Sequence, residues 1–150
     1  MNRLVTMDPP RSVRLASPEA LREKIGTVLV IDDSDIARAS MANLLAEAGL
    51  NVVELSSPIG ATRAILSHEV SVVVVDILMP GMRGDRLATL FRGNPRFKSV
   101  GVVLVSGESG VELDRLLSET GADAAVSKAA LQGLLPAVIR ARTKRMTKSA

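Results

Sequence analysis

Five polar residues stand at the ends of apolar runs in this sequence, and together they could carry out one kind of chemistry. Asp32 and Asp33 follow TVLVI, Asp76 follows VSVVVV, Ser106 follows VGVVLV, and Lys128 follows ADAAVS. Continuous apolar runs of this length are typical of strands buried on both faces of a parallel sheet. The carboxyl ends of parallel strands meet at one edge, so we expect three carboxylates, a hydroxyl and an ammonium in one crevice.

This set of groups fits the transfer of a phosphoryl group to a carboxylate. Asp76 follows the most apolar strand, which is expected to be central, and it is the natural nucleophile because a carboxylate can accept a phosphoryl group as an aspartyl phosphate. Carboxylates packed together repel unless a cation lies between them, and Mg²⁺ prefers such oxygen ligands. Lys128 and Ser106 could contact phosphoryl oxygens with an ammonium and a hydroxyl.

Each of these residues also has an ordinary structural explanation. Asp32 and Asp33 could cap a helix, Asp76 and Ser106 could end strands, and Lys128 could be a solvated surface lysine. The complementary groups at the same end of four strands favour a shared site over four independent coincidences.

The elements that must position these residues alternate between strands and helices. This alternation predicts an α/β domain with a parallel sheet between two helix layers. Proline at position 136 does not suit a helix interior, so the last helix should start late or bend. The predicted strands are 27–32, 51–55, 70–75, 100–105 and 124–127, and the predicted helices are 35–48, 57–68, 85–92 (capped by Asp85), 109–120 (with Ser109 and Glu112 at capping-box spacing) and 131–142.

The two ends of the chain differ from its middle. Residues 1–25 are predicted to be an extension, partly disordered, with a short helix over 18–24, and the domain is predicted to span 26–142. Residues 143–150 form a basic tail, and the last eleven residues hold five cations and no acid. This end could contact nucleic acid or an acidic partner, but the absence of interleaved aromatic residues favours a solvated, frayed terminus.

Composition limits the protein class. The chain has 150 residues, 47% of them hydrophobic, a net charge of +3 and no cysteine. This length supports a core without disulfides. No secretory signal and no run of transmembrane length is found, so a cytoplasmic protein without a membrane partner is expected.

The sequence resembles the receiver (phosphoacceptor) domains of bacterial two-component response regulators. The resemblance covers residues 26–142 and rests on the ordered motifs VLVIDDS, DILMPGMRG, VLVSG and GADAAVSK. It implies a flavodoxin-like, doubly wound, five-stranded parallel sheet in the order 2-1-3-4-5, with helices on both faces.

The resemblance also implies roles for individual residues. Asp76 would take a phosphoryl group from a histidine kinase or a phosphotransfer protein. Asp33, Asp76 and the backbone carbonyl of Leu78 would hold Mg²⁺, with Asp32 acting partly through water, and Ser106 and Lys128 would contact the phosphoryl group. The chain would then be a stand-alone receiver of the chemotaxis-regulator type, which signals through a downstream protein target.

Three positions depart from the family pattern. An aromatic residue usually stands three residues before the lysine, but here it is Ala125, so no aromatic switch operates there. Ala129 replaces the proline that usually follows the lysine, and Gly107 replaces the alanine that commonly follows the hydroxyl residue. The phosphoacceptor site is therefore expected to be intact and the readout of its state atypical.

Other hypotheses stay open. An enzyme that hydrolyses small phosphoesters through an aspartyl phosphate usually needs an acid two residues beyond the nucleophile, and Leu78 cannot protonate a leaving group. The chain could instead be a receiver segment of a larger regulator or hybrid kinase, or a phosphorylation-independent scaffold. The chain could also form a homodimer.

Overall fold

The computed structural model describes residues 17–79, 81, 83–107 and 110–149. The predictions for residues 1–16 and for Ser109 lie outside these residues.

Five parallel strands form one sheet in the order β2-β1-β3-β4-β5. This is the predicted flavodoxin-like order, with β3 in the centre. In the register, Val30 of β1 pairs with Val74 of β3, and Val74 pairs with Val103 of β4. The strands are β1 (Thr27–Ile31), β2 (Asn51–Leu55), β3 (Val70–Asp76), β4 (Gly101–Ser106) and β5 (Ala124–Ser127).

Six α-helices cover the two faces of the sheet. Strand β3 is apolar throughout because both of its faces are buried. Val73 and Val75 enter one core cluster, whereas Val72 and Val74 enter the other. Helices α3, α4 and α5 pack on the first face, and α1, α2 and α6 on the second. The helices are α1 (Pro18–Ile25), α2 (Asp35–Glu47), α3 (Ala61–His68), α4 (Gly84–Gly93), α5 (Gly110–Thr120) and α6 (Leu134–Ser149).

Two helix starts differ from the prediction, each for a local reason, and a third agrees with it. Helix α3 begins at Ala61 rather than residue 57, after Gly60 adopts a left-handed conformation with φ of 87°. Helix α4 begins at Gly84 and has no side-chain cap; Asp85 instead accepts a hydrogen bond from Arg83. Helix α6 starts late, as expected, after a 3₁₀ segment, and so Pro136 falls in its first turn, where no amide is needed.

Helix α1 is packed into the second core cluster. Its Ser17 cap accepts a hydrogen bond from the amide of Ala20 at 3.1 Å, and Leu21 and Ile25 are buried. The Nε of Arg22 donates to the carbonyl of Gly49 at 2.7 Å. Gly49 has a φ of 105°, and a β-carbon there would lie 2.6 Å from that of Pro18. The helix predicted within the extension therefore packs closely against the end of α2.

Helix α6 continues through the residues predicted to be a frayed tail. Its Arg145 is buried and forms an ion pair with Asp123, at 2.6 Å between Nη2 and Oδ1. The other carboxylate oxygen of Asp123 accepts a hydrogen bond from the amide of Val102 at 2.9 Å, and Arg92 lies 3.9 Å away. The prediction of a solvated end is therefore wrong for Arg145, because the tertiary structure supplies a buried anion.

Within the described part of the chain, no helix has the length and apolar character needed to cross a membrane.

Candidate functional site

The residues nominated from the sequence lie at the carboxyl-terminal edge of the sheet. Asp76 is the last residue of β3, Ser106 is the last residue of β4, and Asp32 and Lys128 each follow the last residue of a strand. In the sheet register, Asp76 pairs with Val105, so Ser106 stands one position beyond the strand neighbour of Asp76.

Asp32 is fully buried behind the start of α2. Its Oδ1 accepts a hydrogen bond from the amide of Ser34 at 2.9 Å, and Ser34 in turn caps α2 by accepting from the amide of Ala37 at 3.2 Å. Its Oδ2 is buried and lies 3.2 Å from the Nζ of Lys128. The neighbouring Asp33 is exposed. One carboxylate of the pair is therefore fixed inside the protein, and the other faces solvent.

Asp76 is buried at the centre of the site. Its Oδ1 accepts a hydrogen bond from the amide of Leu78 at 3.3 Å, and its Oδ2 lies 3.0 Å from the Nζ of Lys128. Because the same ammonium also faces Asp32, Lys128 bridges two carboxylates that come from different strands.

Burial and neighbouring charges shift the pKa values of Asp76 and Lys128. Burial raises the pKa of Asp76, the charge of Asp32 adds to the rise, and the ammonium of Lys128 opposes it. Burial alone would lower the pKa of Lys128, but its hydrogen bonds to Asp76 and Asp32 outweigh that effect and raise it. The lysine is therefore held in its charged form between two carboxylates.

The acidic residues fit a hard divalent cation. Asp32, Asp33 and Asp76 each offer a carboxylate oxygen, and these oxygens lie within 4.8 Å of one another. A single ammonium leaves this set with excess negative charge when all three carboxylates are ionised. Mg²⁺ binds carboxylate, carbonyl and water oxygens in small sites of this kind, so the residues present suit it.

Ser106 is almost fully buried at the end of β4. The next residue, Gly107, is exposed, and a β-carbon placed there would meet none of the described residues within 4 Å.

The readout positions differ from the family pattern in structure as well as in sequence. Ala125 is half-buried, pairs in register with Leu104 and packs against the first core cluster. An alanine methyl offers no ring that could change its exposure. Every peptide bond of the described residues, including that between Lys128 and Ala129, is trans.

The structure also adds residues that the sequence did not single out. Arg38 contacts the backbone of Asp32, and Gly84 packs against the backbone of Asp76. The spacing of four residues between the helix cap Ser34 and Arg38 is a sequence signal, because it places Arg38 about one helical turn after the cap. Ile36, an apolar residue in the first turn of α2, is 82% exposed beside the acidic pair.

Comparison with known proteins agrees with the geometry. The family model described as the response regulator receiver domain matches residues 28–140. A cyclic di-GMP phosphodiesterase of Thermotoga maritima is 34% identical over 103 residues, which are 68% of this chain and 27% of that protein. Protein PilG of Pseudomonas aeruginosa is 32% identical over 84 residues, which are 56% of this chain and 62% of that protein. The chain thus covers less than two thirds of either relative.

Solved structures show the same fold. The chemotaxis protein CheY4 of Vibrio cholerae superposes with a TM-score of 0.69 and 23% identity, over 78% of this chain and 98% of that one. The receiver domain of a signal transduction histidine kinase from Syntrophus aciditrophicus also has a TM-score of 0.69, with 24% identity over 79% and 91%. With its strand order, its acidic crevice and the match over residues 28–140, this chain belongs to the response regulator receiver domain family.

Proposed function

We propose that this protein is a phosphorylation-controlled switch in which Asp76 accepts a phosphoryl group from a histidine kinase or a phosphotransfer protein. One observation carries the proposal: the Nζ of Lys128 lies 3.0 Å from Asp76 and 3.2 Å from Asp32, beside a third carboxylate. This arrangement supplies a nucleophilic oxygen together with fixed groups of both signs, which is most of what phosphoryl transfer requires of a protein.

In the proposed reaction, a carboxylate oxygen of Asp76 attacks the phosphorus of a phosphohistidine. A new P–O bond forms as the P–N bond breaks, and the imidazole leaves with the bonding electron pair. Lys128 is already placed at the Oδ2 of Asp76, so its ammonium can move to a phosphoryl oxygen over a short distance. Ser106 would offer its hydroxyl to another phosphoryl oxygen.

Mg²⁺ would be held by Asp33, Asp76 and the backbone carbonyl of Leu78, with Asp32 acting partly through water. When bound, it would neutralise negative charge on the carboxylates and on the transferring group. Because Asp33 is exposed while Asp32 is not, a cation held by these residues would lie toward the solvent-facing side of the site, from which a phosphodonor would approach.

The output of the switch is proposed to be contact with another protein. Ile36 and Leu78 are 82% and 59% exposed, and each stands within a few residues of a site carboxylate. Apolar side chains in such positions suit docking of a protein donor or target. Because Ala125 replaces the usual aromatic residue, the signal would leave through the surface formed by α5, β5 and α6 without movement of an aromatic ring.

The relatives support two arrangements of such a switch. A stand-alone, cytoplasmic receiver is our first proposal, by analogy with CheY4, which this chain covers almost completely. The match to 27% of a cyclic di-GMP phosphodiesterase favours, as the alternative, a receiver segment of a longer regulator or hybrid kinase. Hydrolysis of small phosphoesters is not proposed, because Leu78 offers no acid at the position where that chemistry needs one.

The test is the intact-protein mass after incubation with acetyl phosphate and Mg²⁺. We expect a gain of about 80 Da, the mass of one phosphoryl group. The gain should be lost in Asp76→Asn and in the presence of EDTA. Asp114→Asn, which removes an exposed carboxylate on α5, should retain it and serves as the matched control.

Absence of the mass gain in the wild-type chain, together with absence of Mg²⁺ binding, would refute this function. The chain would then be a receiver fold used as a phosphorylation-independent scaffold, and Ala125 and Ala129 would be the first residues to examine.

A further inference from the structure

Arg38 reaches back from the second turn of α2 to the end of β1. Its Nη1 donates a hydrogen bond to the backbone carbonyl of Asp32 at 2.8 Å, and its Nη2 donates to the Oδ1 of Asp35 at 2.7 Å. The side chain is only 17% exposed. The two ends of the guanidinium fork therefore hold the first and last residues of the acidic segment 32–35.

The third nitrogen of the same guanidinium faces a neighbouring strand. The Nε of Arg38 lies 3.4 Å from the Oε1 of Glu54 in β2. Strand β2 also binds the backbone of Asp32, because the amide of Asp32 donates a hydrogen bond to the carbonyl of Leu55 at 3.2 Å. The main chain of Asp32 is thus anchored on both sides, its amide by β2 and its carbonyl by Arg38.

This double anchoring determines where the next carboxylate lies. The carbonyl of Asp32 belongs to the peptide unit that leads into Asp33, and a planar peptide transmits the orientation of one end to the other. Asp33 is exposed, and yet its carboxylate oxygen lies within 4.8 Å of those of Asp32 and Asp76. Arg38 therefore constrains the backbone from which this exposed metal ligand projects.

We infer that Arg38 is a positioning residue that preorganises Asp32 and Asp33 for the divalent cation, an inference that rests on the proposed function. Without the fork, the segment between β1 and α2 would have to be ordered when the cation binds, and that ordering weakens affinity. Lysine cannot replace the fork, because a single ammonium lacks the planar set of donors that spans two acceptors.

A purely electrostatic role for Arg38 predicts the opposite sign. A cation beside several carboxylates disfavours a second cation, so removing its charge should tighten Mg²⁺ binding. A positioning role predicts weaker binding when the fork is lost, whether or not the charge is kept. Arg38→Gln and Arg38→Lys together separate the two roles.

The experiment is calorimetric titration of Mg²⁺ into the wild-type chain, Arg38→Lys, Arg38→Gln and the control Arg92→Gln, at constant ionic strength. Arg92 is a matched control because it is partly buried and donates to the backbone carbonyls of Lys98 and Val100, before the start of β4 and away from the site. We expect the dissociation constant to rise roughly 10-fold in both Arg38 variants, as on loss of other groups that orient metal ligands. It should be unchanged in Arg92→Gln.

Thermal unfolding without Mg²⁺ separates positioning from stability. A merely structural Arg38 would lower the melting temperature and leave the dissociation constant unchanged, as we expect for Arg92→Gln, and that result would overturn the inference. An unchanged or smaller dissociation constant in Arg38→Gln would also overturn it. Arg38→Lys keeps the charge and the length of the side chain, so it provides the measurement if Arg38→Gln does not fold.

The inference and the proposed function fail in different ways. A wild-type chain that binds no Mg²⁺ refutes the function and the role of Arg38 with it. A wild-type chain that binds Mg²⁺ and gains a phosphoryl group, beside Arg38 variants that bind Mg²⁺ equally well, refutes the role of Arg38 alone.

Discussion

Gly84, the first residue of α4, packs directly on the backbone of Asp76. A β-carbon at position 84 would overlap the carbonyl oxygen of Asp76 and lie 2.9 Å from its carbonyl carbon. The amide of Gly84 also donates to the carbonyl of Ile77 at 3.0 Å. The turn that returns the chain from the central strand to α4 is therefore closed tightly against the residue proposed to be phosphorylated.

Gly84→Ala is expected to damage both the fold and the site. The added methyl must push α4 away from β3, and overpacking of this kind costs about 1–3 kcal/mol. Denaturant unfolding should show this loss, and the phosphorylation rate should fall. Gly93→Ala at the other end of α4 is the control, because nothing lies within 4 Å of its added carbon. Equal stability of the two variants would contradict the packing argument.

Lys128→Met is expected to have opposite effects on stability and on Mg²⁺ affinity. Without its ammonium, Asp32 and Asp76 face each other as buried carboxylates, and the loss should be about 1–2 kcal/mol. This is less than for a fully buried pair, because a third of the Lys128 side chain is exposed. Mg²⁺ should bind more tightly and restore the stability, while phosphorylation declines. Melting curves with and without Mg²⁺ test this, with the exposed Lys98→Met as the control.

Asp76→Asn is expected to stabilise the protein at neutral pH in EDTA. Burial raises the pKa of Asp76 in the folded state, so the folded protein binds a proton more tightly than the unfolded chain does. The stability that this carboxyl contributes is thus present below its unfolded pKa and is lost as the pH rises through its folded pKa.

Asparagine does not ionise, so Asp76→Asn removes the stability loss that ionisation of Asp76 causes. The melting temperature at pH 7 should therefore rise by about 2–4 °C, which corresponds to about 1 kcal/mol in a domain of this size. The difference should shrink as the pH falls toward 4. Melting curves from pH 4 to pH 8 provide the measurement. An asparagine variant that is less stable than the wild-type chain at pH 7 in EDTA would contradict the argument.

Asp123→Asn is expected to destabilise the fold without changing the site. The Asp123 side chain is fully buried, and its charge compensates the buried Arg145 and the nearby Arg92. Leaving these guanidinium groups without a carboxylate should cost about 3 kcal/mol. Thermal unfolding should detect this, while the Mg²⁺ dissociation constant stays the same. Asp114→Asn is the control, because its side chain is exposed on α5; an equal effect of the two changes would show that Asp123 has no special role.

The sequence by itself determined the α/β class and the nominated site, and the strand order followed from the resemblance to receiver domains. Runs such as VSVVVV are typical of strands buried on both faces, and their alternation with helices predicts a parallel sheet between helix layers. The polar residues that follow these runs then meet at one edge whatever the details of the packing. For this reason the sequence pattern alone predicts that Asp32, Asp76 and Lys128 are neighbours, and in the structure Lys128 lies within 3.2 Å of both carboxylates.

Only the tertiary structure decided which side chains are buried and which groups hold them. Ile36 is apolar, and yet its position on α2 leaves it 82% exposed, because hydrophobic periodicity alone does not locate the surface that a helix covers. The sequence predicts a solvated Arg145, but in the structure this residue pairs with Asp123, a buried residue 22 positions earlier in the chain. Arg38 has three contacts, and the one to Glu54 forms only when β2 lies beside β1. Local patterns determine strands and their ends, whereas such long-range pairs depend on how the elements pack together.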